Sequence, residues 1–217
     1  MNIAVLGTGV VGKAIGSKLA DVGHNVIMGS RTRDSEKAAE WVRSTAGRGT
    51  HGTFADAAAA ADVVFNCTAG AASLAALERA GRDHLRGKLL IDLSNPLDFS
   101  RGMPPTLIVC NTDSLGEQIQ RAFPETKVVK TLNTVNHAVM VAPQRVPGDH
   151  VVYTAGNDAG ARAQVAGWLG EWFGWKPSSI IDLGDITAAR GLEMILPLWI
   201  RLMSTFGTPI FNFTIAR

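Results

Sequence analysis

The chain opens on an apolar run, Ile3 to Leu6, that passes directly into Gly7-x-Gly9-x-x-Gly12. A helix-forming stretch follows, then a second apolar run from Asn25 to Met28. Few folds accept a strand, a glycine turn, a helix and a strand in this order. Gly7 permits the tight turn, Gly9 lets the backbone approach a pyrophosphate, and Gly12 lets the helix pack on the strand. The free N–H groups at the helix start, around Val10 to Lys13, would receive the pyrophosphate. Thr8, Val10 and Val11 thereby join the three glycines as candidate cofactor contacts. An NAD site usually ends the second strand with Asp or Glu, which binds the ribose 2′-OH. Here the position reads Ser30-Arg31, with Arg33 and Lys37 close behind. A carboxylate would repel a 2′-phosphate, whereas a hydroxyl and a guanidinium bind it. The motif therefore predicts NADP rather than NAD. Asp34 lies past the strand end and reads as the N-cap of a helix holding Lys37 to Trp41.

The remaining chain continues the alternation. Strands are expected at 2–6, 25–29, 62–67, 88–92, 127–131, 150–155 and 178–182. Helices are expected at 10–22, 34–46, 54–60, 71–81, 113–122, 158–173 and 185–203. Near-continuous apolar strands between helices imply an α/β fold, a doubly wound, mainly parallel Rossmann sheet covered on both faces. Residues 1–149 read as the nucleotide-binding domain. Residues 150–217 read as a short C-terminal α/β extension on the same sheet. Pro96, Pro104 and Pro105 mark a loop.

Composition narrows the function classes. A net charge of +2 and no basic run with interleaved aromatics exclude a nucleic-acid partner. Cys67 and Cys110 have no CxxC or zinc-type spacing, so no metal is expected. Few cysteines and no secretory signal point to the cytoplasm. The most apolar late segment, Leu192 to Met203, is broken by Glu193, Pro197 and Arg201, so no membrane span is expected.

Open α/β sheets bind ligands at the carboxyl ends of their strands. Those ends read Gly7-Thr8, Ser30-Arg31, Cys67-Thr68-Ala69-Gly70, Asp92-Leu93-Ser94-Asn95-Pro96 and Leu132-Asn133-Thr134-Val135-Asn136-His137. Thr68 and Ala69 should flank the adenosine ribose and pyrophosphate. Asn95, Pro96, Asn133 and Thr134 should lie nearer the nicotinamide. Asn133, Thr134, Val135 and Asn136 should line the pocket of a small-molecule acceptor. No catalytic acid or nucleophile stands out, since Cys67 reads as packing and His137 as structural. Arg190 and Glu193 are three residues apart on a late helix and read as a local ion pair, or as a closure of the nicotinamide end. Trp168 and Trp172, four apart, read as core contacts. The apolar end, Thr208 to Ile215, is expected to be tied down by an oligomer contact.

One family gathers these pieces in order. Gly7-Thr8-Gly9-x-x-Gly12, Gly29-Ser30-Arg31, Phe123-Pro124-x-x-Lys127-Val128-Val129-Lys130, Leu132-Asn133-Thr134 and Ala189-Arg190-x-x-Glu193-x-x-x-Pro197-Leu198 resemble the NADP oxidoreductases dependent on the deazaflavin coenzyme F420. The cytosolic reductase domain of the six-transmembrane metalloreductases is a relative of the same fold. The resemblance covers nearly the whole chain. It implies a homodimer that passes hydride between NADPH and coenzyme F420, or another flavin-like ring, stacked on the nicotinamide. It also implies that Thr8, Ser30, Arg31 and Lys37 contact the NADP phosphates. The family reads Leu-His-Thr-Ile-Pro where this chain has Leu132-Asn133-Thr134-Val135-Asn136. That departure leaves room for an NADP(H)-binding sensor without catalysis.

Overall fold

The computed structural model describes residues 1–216. In β1 (Asn2–Leu6), Ile3 and Val5 enter one apolar cluster while Ala4 and Leu6 enter another. A strand with both faces apolar must sit inside a sandwich of helices. Then come α1 (Val10–Asp21), β2 (Asn25–Ser30), α2 (Glu36–Arg43), β3 (Gly49–Thr53), α3 (Phe54–Ala60) and β4 (Val63–Asn66). They are followed by α4 (Gly70–Ala80), α5 (Arg82–Leu85) and β5 (Leu89–Asp92). A small hairpin, β6 (Leu97–Asp98) and β7 (Thr106–Leu107), replaces the expected proline loop. The chain continues through α6 (Leu115–Ala122), β8 (Lys127–Thr131), α7 (His137–Met140), β9 (Val152–Ala155), α8 (Ala159–Phe173) and β10 (Ile180–Asp182). It closes with α9 (Ala189–Met194), α10 (Leu196–Phe206) and an extended tail.

Eight strands form one sheet in the order β10-β9-β8-β5-β4-β1-β2-β3. All neighbours are parallel except β8 and β9. The order runs outward from β1 in both directions, so ligands gather where it reverses. One face is packed by α1, α2, α7 and α8, the other by α3 to α6. A third cluster joins Leu196, Trp199 and Ile200 of α10 to Leu97, Phe211 and Phe213. As expected, Trp168 and Trp172 pack on the core, stacked at 4.4 Å.

Four expectations need correction. The edge strand β3 has the sequence Gly-Thr-His-Gly-Thr, with no apolar run to announce it. It forms because β2 offers it a full ladder, from Val26 with Gly49 to Ser30 with Thr53. The late helix expected over 185–203 is two helices, divided at Ile195, with Pro197 in the first turn of α10. A proline lacks the N–H that an uninterrupted helix would need there. The N-cap of α2 is Ser35, whose hydroxyl accepts from the Ala38 N–H, not Asp34. Finally, the tail is held in part by its own chain. Phe211 stacks on Trp199 at 5.1 Å, and the Val151 N–H donates to the Phe213 carbonyl.

Candidate functional site

The glycine turn shows why side chains are excluded from it. Gly7 sits at φ +120°, and a Cβ there would come within 2.6 Å of the Cys67 carbonyl oxygen. A Cβ on Gly12 would lie 1.9 Å from the Gly7 oxygen. Both glycines are therefore dictated by the protein itself. Gly9 differs, because a Cβ there meets nothing within 4 Å. It is the N-cap of α1, has no side-chain cap, and leaves the first N–H groups of the helix without a side-chain partner. The space in front of it belongs to a cavity of about 640 Å³.

That cavity runs from Gly7, Thr8 and Gly9 past Cys67, Thr68 and Ala69 to Ser30, Arg31, Thr32, Ser35, Lys37 and Arg79. Its size suits a nucleotide. It unites most of the residues expected to bind the cofactor, from Gly7 to Lys37 and on to Thr68 and Ala69. Val10 is exposed on the first turn of α1 beside it, and Val11 packs inward. Among the described residues, no carboxylate lines the cavity, while Arg31, Lys37 and Arg79 do. Two polar side chains expected to face the ligand are turned inward. Ser30 is 5% exposed and donates to the Thr32 carbonyl, so it shapes the loop that presents Arg31. Thr68 donates to Asn66 Oδ1 at 2.7 Å. Arg33, next along the loop, is engaged by Asp56 at 2.8 Å.

The other end of the sheet is built differently. Lys130 on β8 is fully buried and donates to Asp92 Oδ2 at 2.8 Å. Glu193 Oε1 lies 2.8 Å from the same Nζ. Burial alone would lower the Lys130 pKa, but the two carboxylates outweigh it and hold the amine above its usual range. Asp92 Oδ1 also accepts from Asn66 and Ser94, both at 2.7 Å. Glu193 accepts from the N–H groups of Leu115 and Gly116, at 2.8 and 3.0 Å, and so caps α6. The expected local pair of Arg190 with Glu193 is thus replaced. Arg190 instead reaches Glu117 on α6, with Nη2 at 2.6 Å and Nε at 2.9 Å. That guanidinium pulls the Glu117 carboxyl below its usual range.

The residues expected to line an acceptor pocket lie against this network. Asn133 is 3% exposed, and its amide donates to Asn95 Oδ1 and to the Leu192 carbonyl. Asn95 returns a bond to the Asn133 carbonyl at 2.8 Å. Thr134 and Val135 are buried, Val135 within the core beside Leu132 and Val139. Their expected role as open pocket walls is corrected: they are packing beneath the site. Asn136 caps α7 by accepting from the Ala138 N–H. Pro96 is buried beside the hairpin. His137 opens α7 outside the cavity. Burial, helped by the Asp92 charge, pushes the Cys67 thiol up, so it is a neutral lining group rather than a nucleophile.

Sequence reasoning missed Arg79 and the partnership of Lys130. Both left signals. Arg79 falls in register with Ala72, Ala75 and Ala76 on the helix after β4. A lysine inside an apolar central strand calls for buried carboxylates. Among the described residues, no helix is long and apolar enough to cross a membrane.

Comparison with known proteins bears on this geometry. The profile of the family described as NADP oxidoreductase, coenzyme F420-dependent, matches residues 2–96. The chain is 30% identical to the F420-dependent NADP reductase of Methanocaldococcus jannaschii over 93% of its length and 92% of that protein. It is 28% identical to rat Metalloreductase STEAP3 over 91% of its length but only 38% of that protein. A crystal structure described as a candidate F420-dependent NADP-reductase from Arthrobacter sp. FB24 superposes with a TM-score of 0.94. The two chains are 53% identical, and each is covered completely.

Proposed function

Because the chain belongs to the coenzyme F420-dependent NADP oxidoreductase family, we propose that it is the reductase that carries hydride between NADPH and coenzyme F420. The observation that carries this reading is the cavity: open space before Gly9, a bare helix start, and three cations with no carboxylate among the lining residues. A dinucleotide bearing an extra phosphate fits that donor set. When bound, the nicotinamide supplies the hydride and the deazaflavin accepts it, or the reverse.

The chain's own task is binding and orientation. The first N–H groups of α1 hold the pyrophosphate at Gly9 to Val11. Arg31 and Lys37 hold the 2′-phosphate, with Ser30 bracing the turn that presents Arg31. Thr68 and Ala69 wall the ribose and pyrophosphate. Asn95, Pro96 and the main chain at Asn133 floor the nicotinamide end, kept rigid by the Asn95–Asn133 amide pair. That floor offers no titrating acid or base, consistent with hydride transfer between stacked rings. The departure at Asn133 and Asn136 bears on which ring is accepted. Residues 1–149 form the nucleotide domain in this reading. Residues 150–217 supply a homodimer contact through exposed Leu198, Phe206, Ile210 and Ile215. The enzyme acts in the cytoplasm.

The test is NADPH oxidation with coenzyme F420, FMN, FAD and riboflavin offered in turn. Rapid turnover with coenzyme F420 and little with the others supports the reading. Preference for FMN or riboflavin would shift the acceptor to a flavin. Tight NADPH binding with no turnover on any of the four would overturn it in favour of a sensor.

A further inference from the structure

We propose that Arg79 is a specificity residue of the cofactor site, a second guanidinium that grips the 2′-phosphate from the side opposite Arg31. The inference rests on the NADP reading above. It concerns a residue on α4, an element that contributes nothing to the strand-end motif from which NADP preference is usually read.

The geometry of α4 carries it. Ala72, Ala75, Ala76 and Arg79 are spaced i, i+3, i+4 and i+7, so they share one helix face. All four line the cavity. Three small side chains leave a shallow floor, and the fourth ends it with a cation. At about 1.5 Å per residue, Arg79 stands about 15 Å along the helix from Ala69 at its start. That separates it from the glycine turn and brings it to the adenosine end. Its position there is not free-floating, because Nη2 donates to the Arg31 carbonyl at 2.6 Å. One bond uses one of five donors. Arg79 lines the same cavity as Arg31 and Lys37, and the bond to the Arg31 carbonyl is the one hydrogen bond its fork makes among the described residues.

The surrounding charges point the same way. Neighbouring cations are paired: Arg33 with Asp56, Lys13 with Glu40, and Arg82 with Glu78. Among the described residues, Arg31, Lys37 and Arg79 form no such ion pair. Three unpaired cations converging from the β2 loop, α2 and α4 repel one another, and a dianionic phosphate resolves that repulsion. The bond to the Arg31 carbonyl adds a second effect. It ties the Arg79 guanidinium to the backbone of the loop that carries Arg31, so that this guanidinium and the loop are organised before the ligand arrives.

Fluorescence titration of NADPH and NADH onto the purified protein tests this without turnover. Arg79→Ala should weaken NADPH binding about tenfold or more and change NADH binding by less than about twofold. Arg79→Lys, which restores the charge but not the fork, should recover part of the loss. Equal losses for both nucleotides, or none for NADPH, would overturn the role of Arg79. The wild-type protein distinguishes that failure from a wider one. If wild type itself binds NADH as tightly as NADPH, the NADP reading falls and this inference with it. Arg79 is exposed on α4, and an unchanged far-ultraviolet dichroism spectrum confirms that each variant is folded.

Discussion

Around β1, β2 and α4, cations stand exposed at the rim of a cavity with no carboxylate partner. Around β5, β8 and α9, Lys130, Asp92 and Glu193 answer one another out of reach of water. Both regions lie along one edge of a mainly parallel sheet, and both are rich in polar side chains. The difference lies in what completes them. On the NADP reading, the first would be completed by an anion from solution, which makes its unpaired charges a binding capacity. The second is completed by the fold, so its charges have no capacity left and serve to hold loops in place. A polar residue at a strand end is therefore a ligand candidate only if its donors remain unclaimed, as Asn133 and Thr68 illustrate.

The sharpest way to break this contrast is Gly9→Val. The protein has room for the added side chain, whereas a pyrophosphate seated on the start of α1 would collide with it. NADPH binding should be abolished while circular dichroism and thermal stability stay near wild type. Retained micromolar affinity would place the phosphates elsewhere. Lys130→Met attacks the opposite region. It strands two buried carboxylates, at a cost of about 3–5 kcal/mol. Thermal unfolding should move down by roughly 10 °C. A shift of a degree or two would mean that the triad is weaker than its burial implies. Arg31→Ala belongs to the rim again and should remove about 1.5–3 kcal/mol of NADPH binding, with NADH hardly affected. Equal losses on both nucleotides would contradict the assignment of the 2′-phosphate.

The smallest effect concerns pH. Arg121 holds the Asp113 carboxyl down to about 2, and Arg190 holds Glu117 below its usual range. Both carboxylates are stabilising above their unfolded values, and that contribution is lost as pH falls through the folded ones. Stability measured by urea unfolding should therefore decline between about pH 4.5 and about pH 2. Glu117→Gln should flatten part of that decline, by about 1 kcal/mol or less. An unchanged acid limb would assign the loss to other carboxylates.

The glycine turn and the strands around it were readable because each of their features is local. A turn of φ +120° at Gly7 and a close approach at Gly12 demand glycine, and the demand is visible in six consecutive positions. Apolar inner strands announced themselves likewise. The region around β5, β8 and α9 was not readable because its contacts join distant segments. Nothing near Glu193 says that it faces Lys130 rather than Arg190, since both choices satisfy a carboxylate. Val135 was misplaced for a related reason. Its neighbours suggest a strand-end loop, but only the packing of α7 shows that the side chain turns into the core. The strand β3 was missed because it has no apolar signal and gains its stability from the ladder with β2.

The cap of α6 also has a history along the chain. The carboxylate that receives the Leu115 and Gly116 N–H groups is 78 and 77 residues downstream of them. A ribosome delivers residues in order, so the glycine turn, Arg31 and α4 emerge long before Glu193 does. Until it arrives, Lys130 has a single counter-charge, and the first turn of α6 has only its local cap, the Ser114 hydroxyl that accepts from the Glu117 N–H. The cavity at the glycine turn can take shape early, while the Lys130 network sets only after Glu193 is made. Nascent chains stalled just short of Glu193 should thus be more open to proteases across α6 than across α1.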